Sequence, residues 1–390
     1  MRVLLVRRPF LRLFTSLALC AVVAAPLRSD VAVASAVNPR NVSFAPVMLV
    51  RAPHATHTST LYVVGSVKCL RLPCLRLYRT HDAIESTIDP APTFTPVTMP
   101  PTSWISGRAT GSLLGLVFAT PLIGYALEGS SEPEVLYATF NGAKTWQKLK
   151  IPSGDFIAGF STTGNHLYAL FLNCKKGNEG CVNFQMDHAT LSGKKWSGVN
   201  IPFGSLDAGS LSGVLSAYGE NVFISQSMKG RALLYVSHNG GLTFTKSAPQ
   251  KLLSVAGCAL TAVSAKEVWA MCPTGSLASI QFSNDAGRTW RSLNHKLYGS
   301  TSGGFFATAG YDFAYVDTGA NPRNMYRINV GARQEHDIGE LACSTTESAV
   351  FVSVFHGFAI CYTNGSSPHL ERTINGGVTW QRVSTTSTMG

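Results

Sequence analysis

The sequence predicts an all-β protein. Residues 37–390 are expected to form one seven-bladed β-propeller of four-stranded antiparallel blades, behind a signal peptide at residues 1–36. Three observations predict it. An eight-residue frame recurs along the chain. Short segments rich in Tyr, Phe, Trp and Val alternate apolar with polar positions between Gly-containing turns, which is the pattern of strands and hairpins. Beyond residue 36, no stretch combines helical period with helical length.

The leader comes first. Arg2, Arg7, Arg8 and Arg12 precede the apolar run LFTSLALCAVVAAPL and then AVASA, with small residues suited to cleavage after Ala34 or Ala36. That order is a secretory signal, and the apolar run is shorter than the roughly 20 residues that span a bilayer. No later segment is long and apolar enough to cross a membrane, so the mature chain is expected to be secreted or extracytoplasmic. The whole chain carries +11; its leader holds five Arg and one Asp, which leaves +7. A surface this modestly basic, with no run of Lys and Arg, argues against nucleic acid as a partner.

Cysteines come next. Eight follow the leader: Cys69, Cys74, Cys174, Cys181, Cys258, Cys272, Cys343 and Cys361. An even number in a secreted chain reads as disulfides. No CxxC pair exists, so zinc and thioredoxin-type readings lack their spacing. Pairing sequence neighbours gives separations of 5, 7, 14 and 18 residues and keeps each bond within one repeat. That is the expected connectivity.

The frame itself appears as TFNGAKTW (Thr139–Trp146), SHNGGLTF (Ser237–Phe244), SNDAGRTW (Ser283–Trp290) and TINGGVTW (Thr373–Trp380). Its terminal aromatics, Trp146, Phe244, Trp290 and Trp380, lie 98, 46 and 90 residues apart, close to two, one and two units of 45–49. Degraded copies are expected near Trp196, near 335, and at Thr80, Asp82 and Ser86, which brings the count to seven units. The third position is Asn141, Asn239, Asp285 or Asn375. Three of these four are uncharged, so a structural turn is expected there rather than a metal or proton-transfer site. The side chain can accept from following amides, and the glycines supply positive φ. The aromatic is expected to pack against the neighbouring blade.

The frame Ser/Thr-x-Asp/Asn-Gly-Gly-x-Thr-Trp resembles the Asp-box, or BNR, repeat. Proteins with that repeat include sialidases, sortilin-type receptor domains, xyloglucanases and the photosystem II assembly factor of plants and cyanobacteria. The resemblance covers essentially the whole mature chain. It implies a propeller whose boxes form the hairpin between the third and fourth strands of a blade. It also implies that sites lie on the opposite face, around the central channel.

On that opposite face fall the loops between second and third strands: 69–74, 128–135, 174–181, 227–232, 272–277, 317–324 and 361–370. They carry the candidate binding residues Arg71, Lys175, Lys176, Lys229, Arg231 and Arg323, interleaved with Glu128, Glu132, Glu134 and Glu179. Such a patch would favour an acidic protein or carbohydrate partner. The basic loops match the Arg-rich face of the photosystem factor only in outline.

Enzyme readings find little support. The Arg-Ile-Pro motif of sialidases is absent, the nearest strings being KIPSG (150–154) and NIPFG (200–204). There is no GxSxG, phosphate loop or HExxH, and HATH (His54–His57) lacks further ligands. No cofactor, metal or catalytic residue is expected. The chain reads as a monomeric binding or scaffold protein; the alternative is a sialidase-like or other glycoside hydrolase.

Overall fold

The computed structural model describes residues 41–52, 60–69, 73–80, 92–101, 113–129, 134–152, 156–174, 181–201, 213–228, 231–247, 258–273, 277–298, 306–308, 313–317, 324–329, 334–340, 343, 345–363 and 367–388. By contacts the chain divides into Met1–Asn38 and Pro39–Gly390, and every described residue belongs to the second unit. The leader, Asp82, Ser86 and HATH lie outside the described residues.

Every described element is a strand. After β1 (Asn41–Ser43), the first sheet joins β2 (Ala45–Ala52), β3 (Thr60–Lys68), β4 (Pro73–Thr80) and β5 (Thr95–Val97). The second joins β6 (Leu113–Phe118), β7 (Gly124–Glu128), β8 (Val135–Thr139) and β9 (Gln147–Lys148). The third joins β10 (Phe156–Thr163), β11 (His166–Cys174), β12 (Cys181–Thr190) and β13 (Trp196–Asn200). Then come β14 (Gly213–Tyr218), β15 (Asn221–Met228), β16 (Arg231–Ser237) and β17 (Thr245–Ser247). The fifth sheet is β18 (Ala259–Ala262), β19 (Val268–Pro273), β20 (Leu277–Ser283) and β21 (Arg291–Tyr298). Next in the chain are β22 (Phe306–Thr308), β23 (Phe313–Asp317), β24 (Asn324–Asn329) and β25 (Gln334–Glu340). The last sheet holds β26 (Thr345–Phe351), β27 (Gly357–Tyr362), β28 (His369–Thr373) and β29 (Gln381–Val383). Finally β30 (Thr386–Thr388) pairs antiparallel with β1.

Within each sheet the strands pair in sequence order, and all pairs are antiparallel. The first strands lie side by side: β2 against β6, β6 against β10, β10 against β14, β14 against β18, β22 against β26, and β26 against β2. Successive meanders arranged around their own first strands make a β-propeller with four-stranded antiparallel blades. Six blades are described with side chains. The sheet β22–β25 is described by its backbone alone.

The cores lie between blades, because each sheet has two apolar faces and can bury them only against its neighbours. Tyr62, Val64 and Leu77 of the first blade pack with Leu116, Phe118 and Ala126 of the second, and Tyr62 stacks on Phe118 with ring centroids 3.7 Å apart. One side chain recurs at these seams. The second-strand tyrosines Tyr62, Tyr125 and Tyr168 donate their hydroxyls to Pro121 O, Leu191 O and Gly219 O of the next blade. Each apolar ring fills a seam, and its polar tip satisfies a turn carbonyl across it.

The recurring frames build hairpins between third and fourth strands. In TINGGVTW, Thr373 Oγ1 accepts from Gly377 N at 2.8 Å and donates to Asn375 Oδ1 at 3.0 Å. Asn375 Oδ1 also accepts from Thr379 N at 2.9 Å, and Asn375 Nδ2 donates to Thr379 Oγ1 at 2.8 Å. Thr139, Ser237 and Ser283 occupy the role of Thr373, and Asn141, Asn239 and Asp285 that of Asn375. Gly376 and Gly377 have φ of 70° and 89°; in two other copies Ala143 (63°) and Ala286 (60°) take this conformation. The second turn amide reaches the turn between first and second strands, as Gly376 N does to Phe355 O at 2.8 Å and Gly142 N to Leu122 O at 2.9 Å. Both turns of a blade therefore share one face.

The box tryptophans refine an expectation. Trp146 and Trp380 set their rings edge-on against Phe118 and Phe351 of their own blades. Trp146 and Trp290 also pack against the apolar cores shared with the preceding blade, and their indole N–H groups cross the seam: Trp146 Nε1 donates to Thr98 O and Trp290 Nε1 to Ser247 Oγ, each at 2.8 Å.

Replacing buried Thr373 with Val leaves the Gly377 N–H without its acceptor. The variant is expected to lose about 1–3 kcal/mol of stability, whereas Ile374→Ala on the exposed corner should stay within about 0.5 kcal/mol of wild type. Equilibrium unfolding in denaturant measures both.

Candidate functional site

The first strands of four consecutive blades line an open cavity of about 650 Å³. Met48–Arg51 of β2, Gly115–Val117 of β6, Ile157–Phe160 of β10 and Leu215 of β14 line it, with Leu127 behind them. Among the described lining residues the side chains are apolar except for that of Arg51. Three of these strands, and β26 of the last blade, share an irregularity: register shifts fall between Pro46 and Met48, Leu113 and Gly115, Ile157 and Gly159, and Thr346 and Ser348. A bulge at the same level of four first strands bends each strand and leaves a residue out of the ladder. At Gly115 the strand passes so near Phe160 that an added Cβ would sit 2.7 Å from the ring.

Among the described residues Arg51 is the one charged residue of the lining. Its Nη1 donates to Phe351 O at 3.3 Å, which bridges the first and last blades, while its Nε is buried without a hydrogen-bond partner. Burial pulls its pKa below the ordinary arginine value.

Among the described residues of the lining there is no carboxylate. The described buried acids serve the protein itself. Asp187 accepts from Gln185 Nε2 at 2.8 Å, Glu128 bonds the Tyr137 hydroxyl, and Glu371 pairs with His369 at 3.1 Å. Glu134 Oε2 accepts from Ile157 N at 2.6 Å, beside the bulge of β10. Glu134, read from sequence as a loop charge opposing the basic residues, thus pins a first strand. No group of three or more metal-ligating side chains occurs among the described residues.

Of the sequence-predicted binding residues, Arg71, Lys175, Lys176, Lys229 and Arg323 lie outside the described residues, as do Glu132 and Glu179. Arg231 is described only in its backbone, as the first residue of β16. Their loops join second to third strands, at the ends of the sheets away from the box hairpins. The same ends carry the disulfides Cys69–Cys74, Cys258–Cys272 and Cys343–Cys361. Cys174 and Cys181 are register partners on β11 and β12, their side chains being outside the described set. Sequence reasoning missed Arg51. Its signal was one charge at the end of the apolar run VMLVRA.

The sequence matches no protein-family model and no curated protein. Solved structures resemble it in fold. A prolyl endopeptidase superposes with a TM-score of 0.58 at 11% identity, over 90% of this chain and 51% of its own. An acylaminoacyl peptidase of Pyrococcus horikoshii gives 0.54 at 8%, over 89% and 53%. The chain spans about half the length of either peptidase. YCF48 bound to D1 peptide gives 0.46 at 16%, over 74% and 86%. At these identities the likeness concerns the fold alone.

Burial raises the pKa of Glu134 above its ordinary 4.5, with the Ile157 N–H pulling the other way. A carboxyl raised in the folded state stabilises most below its unfolded pKa, and that contribution is lost as pH rises through the folded value. Glu134→Gln keeps an acceptor for Ile157 N and removes the charge. It should melt higher than wild type at pH 7 and level with it at pH 3.5, as followed by circular dichroism.

Proposed function

We propose that this chain is a secreted or extracytoplasmic, monomeric binding or scaffold protein. It is read as a seven-bladed Asp-box propeller over residues 37–390, with β22–β25 as the sixth blade in chain order. Its partner is a protein or carbohydrate of acidic character, held by the loops that join second to third strands. One observation carries this reading: the contrast between the two ends of the blades. At the box end, hydroxyl, amide and carboxylate groups bond one another within each turn and have little left for a partner. At the other end, the Cys69–Cys74 disulfide closes the loop that carries Arg71, and the neighbouring loops at that end carry Lys175, Lys176, Lys229, Arg231 and Arg323 in the sequence. Loops held at their bases lose less freedom when they engage a partner. The disulfides support an oxidising compartment, and the leader supports export to it.

The reading is tested with the exported protein. N-terminal sequencing should find the mature chain beginning after Ala34 or Ala36. The protein should be retained on an immobilised acidic peptide or polyuronate at about 0.15 M salt, where surface fields still act over roughly 8 Å. Lys229→Ala with Arg231→Ala should elute at clearly lower salt. Unchanged elution of the double variant would remove the basic-loop surface from the proposal.

A further inference from the structure

The central cavity and Arg51 point to a ligand of a different kind from the loop-face partner. Among the described residues the lining is apolar side chains from four strands together with Arg51. Among its described lining residues none carries a hydroxyl, side-chain amide or carboxylate, so a sugar would find no side-chain partner there for its hydroxyls. At about 650 Å³, the space is of the size that small-molecule sites commonly have, roughly 300–1,000 Å³.

Arg51 narrows the chemistry further. Among the described residues no carboxylate pairs with it, its Nε is buried and bare, and its contact to Phe351 O is long at 3.3 Å. A half-buried charge with a bare buried nitrogen gains from a counter-charge. Bridging β2 to the last blade needs only a neutral donor, so that role does not account for an arginine. The guanidinium is a flat fork that matches a carboxylate edge-on through two parallel N–H donors. One fork neutralises one negative charge, so a dianion such as a phosphate monoester would keep an unpaired charge in an apolar space.

We propose that the cavity binds a small amphiphilic monocarboxylate, its head on Arg51 and its apolar body against β2, β6, β10 and β14. The site is independent of the basic loops, so it can stand or fall without them.

Calorimetric titration of the purified protein with decanoate, decanol and decylamine, each below its micelle concentration, tests the proposal. Decanoate should bind at least about tenfold tighter than decanol, the increment expected of a charge-assisted hydrogen-bonded pair, and decylamine should bind most weakly. Arg51→Gln should abolish the advantage of decanoate and leave decanol unchanged. Because Arg51 also bridges two blades, the variant's melting curve is recorded alongside. If Arg51→Gln does not fold, the ranking of the three ligands on wild type decides alone. Equal binding of decanoate and decanol would overturn the proposal. So would tighter binding of an apolar peptide with a free C-terminal carboxylate, which would make the occupant a chain end rather than a small acid.

Discussion

A four-stranded blade has two apolar faces and no core of its own, so everything in this protein depends on closing the ring. The seam between first and last blades carries that demand. Leu49, Leu61 and Val63 share a core with Val352, Phe358, Ile360 and Leu370. Val42 and Phe44 join them from the segment that leads into β2. Polar contacts fasten the same seam, since Asn41–Ser43 pairs with Thr386–Thr388 and Phe44 N donates to Thr385 O at 3.0 Å. Arg51 reaches across it to Phe351. Opening this seam would expose two blade faces at once, whereas damage to one hairpin exposes part of one turn.

The other seams repeat one solution with local substitutions. Where Tyr62, Tyr125 and Tyr168 stand on second strands, ring and hydroxyl act together across the seam. At the equivalent level of β15 stands Phe223, which has no hydroxyl; there the core is Phe223, Leu234 and Val236 against Leu260, Val268 and Ala270. The same seam gains Ser247, whose hydroxyl accepts from the indole N–H of Trp290. Polar satisfaction thus passes between residue types from seam to seam, while the apolar packing is constant.

Much of this was legible in the sequence because the box is a local device. The bonds of Thr373, Asn375, Gly377 and Thr379 all lie within seven residues, so residue type and spacing specify them without knowledge of the rest of the chain. The loops between second and third strands were legible for a similar reason, being short interruptions between alternating segments. Long-range features left weaker marks. Nothing in NVS or TST announces a strand pair, since each is a three-residue polar segment whose partner is more than 300 residues away. The bulges at Val47, Leu114, Ala158 and Glu347 obey no sequence rule that three-letter patterns reveal. Arg51 was an isolated charge in an apolar strand, and only the arrangement of four strands around it gives it meaning. Glu134 looked like a solvated loop acid because its acceptor role depends on the backbone of the next blade.

The pairing of β1 with β30 also has a consequence for how the protein is made. A ribosome or a translocation pore delivers residues 41–52 long before residues 386–388. Until the tail arrives, the first blade has one apolar flank with no neighbour, and its strand edges are open to pairing with other chains. Closure over so long a separation is slow relative to local hairpin formation. The nascent protein therefore passes through a stage in which most blades are built and the circle is still a horseshoe. That is the stage at which a holding factor, or a second horseshoe of the same sequence, would find it.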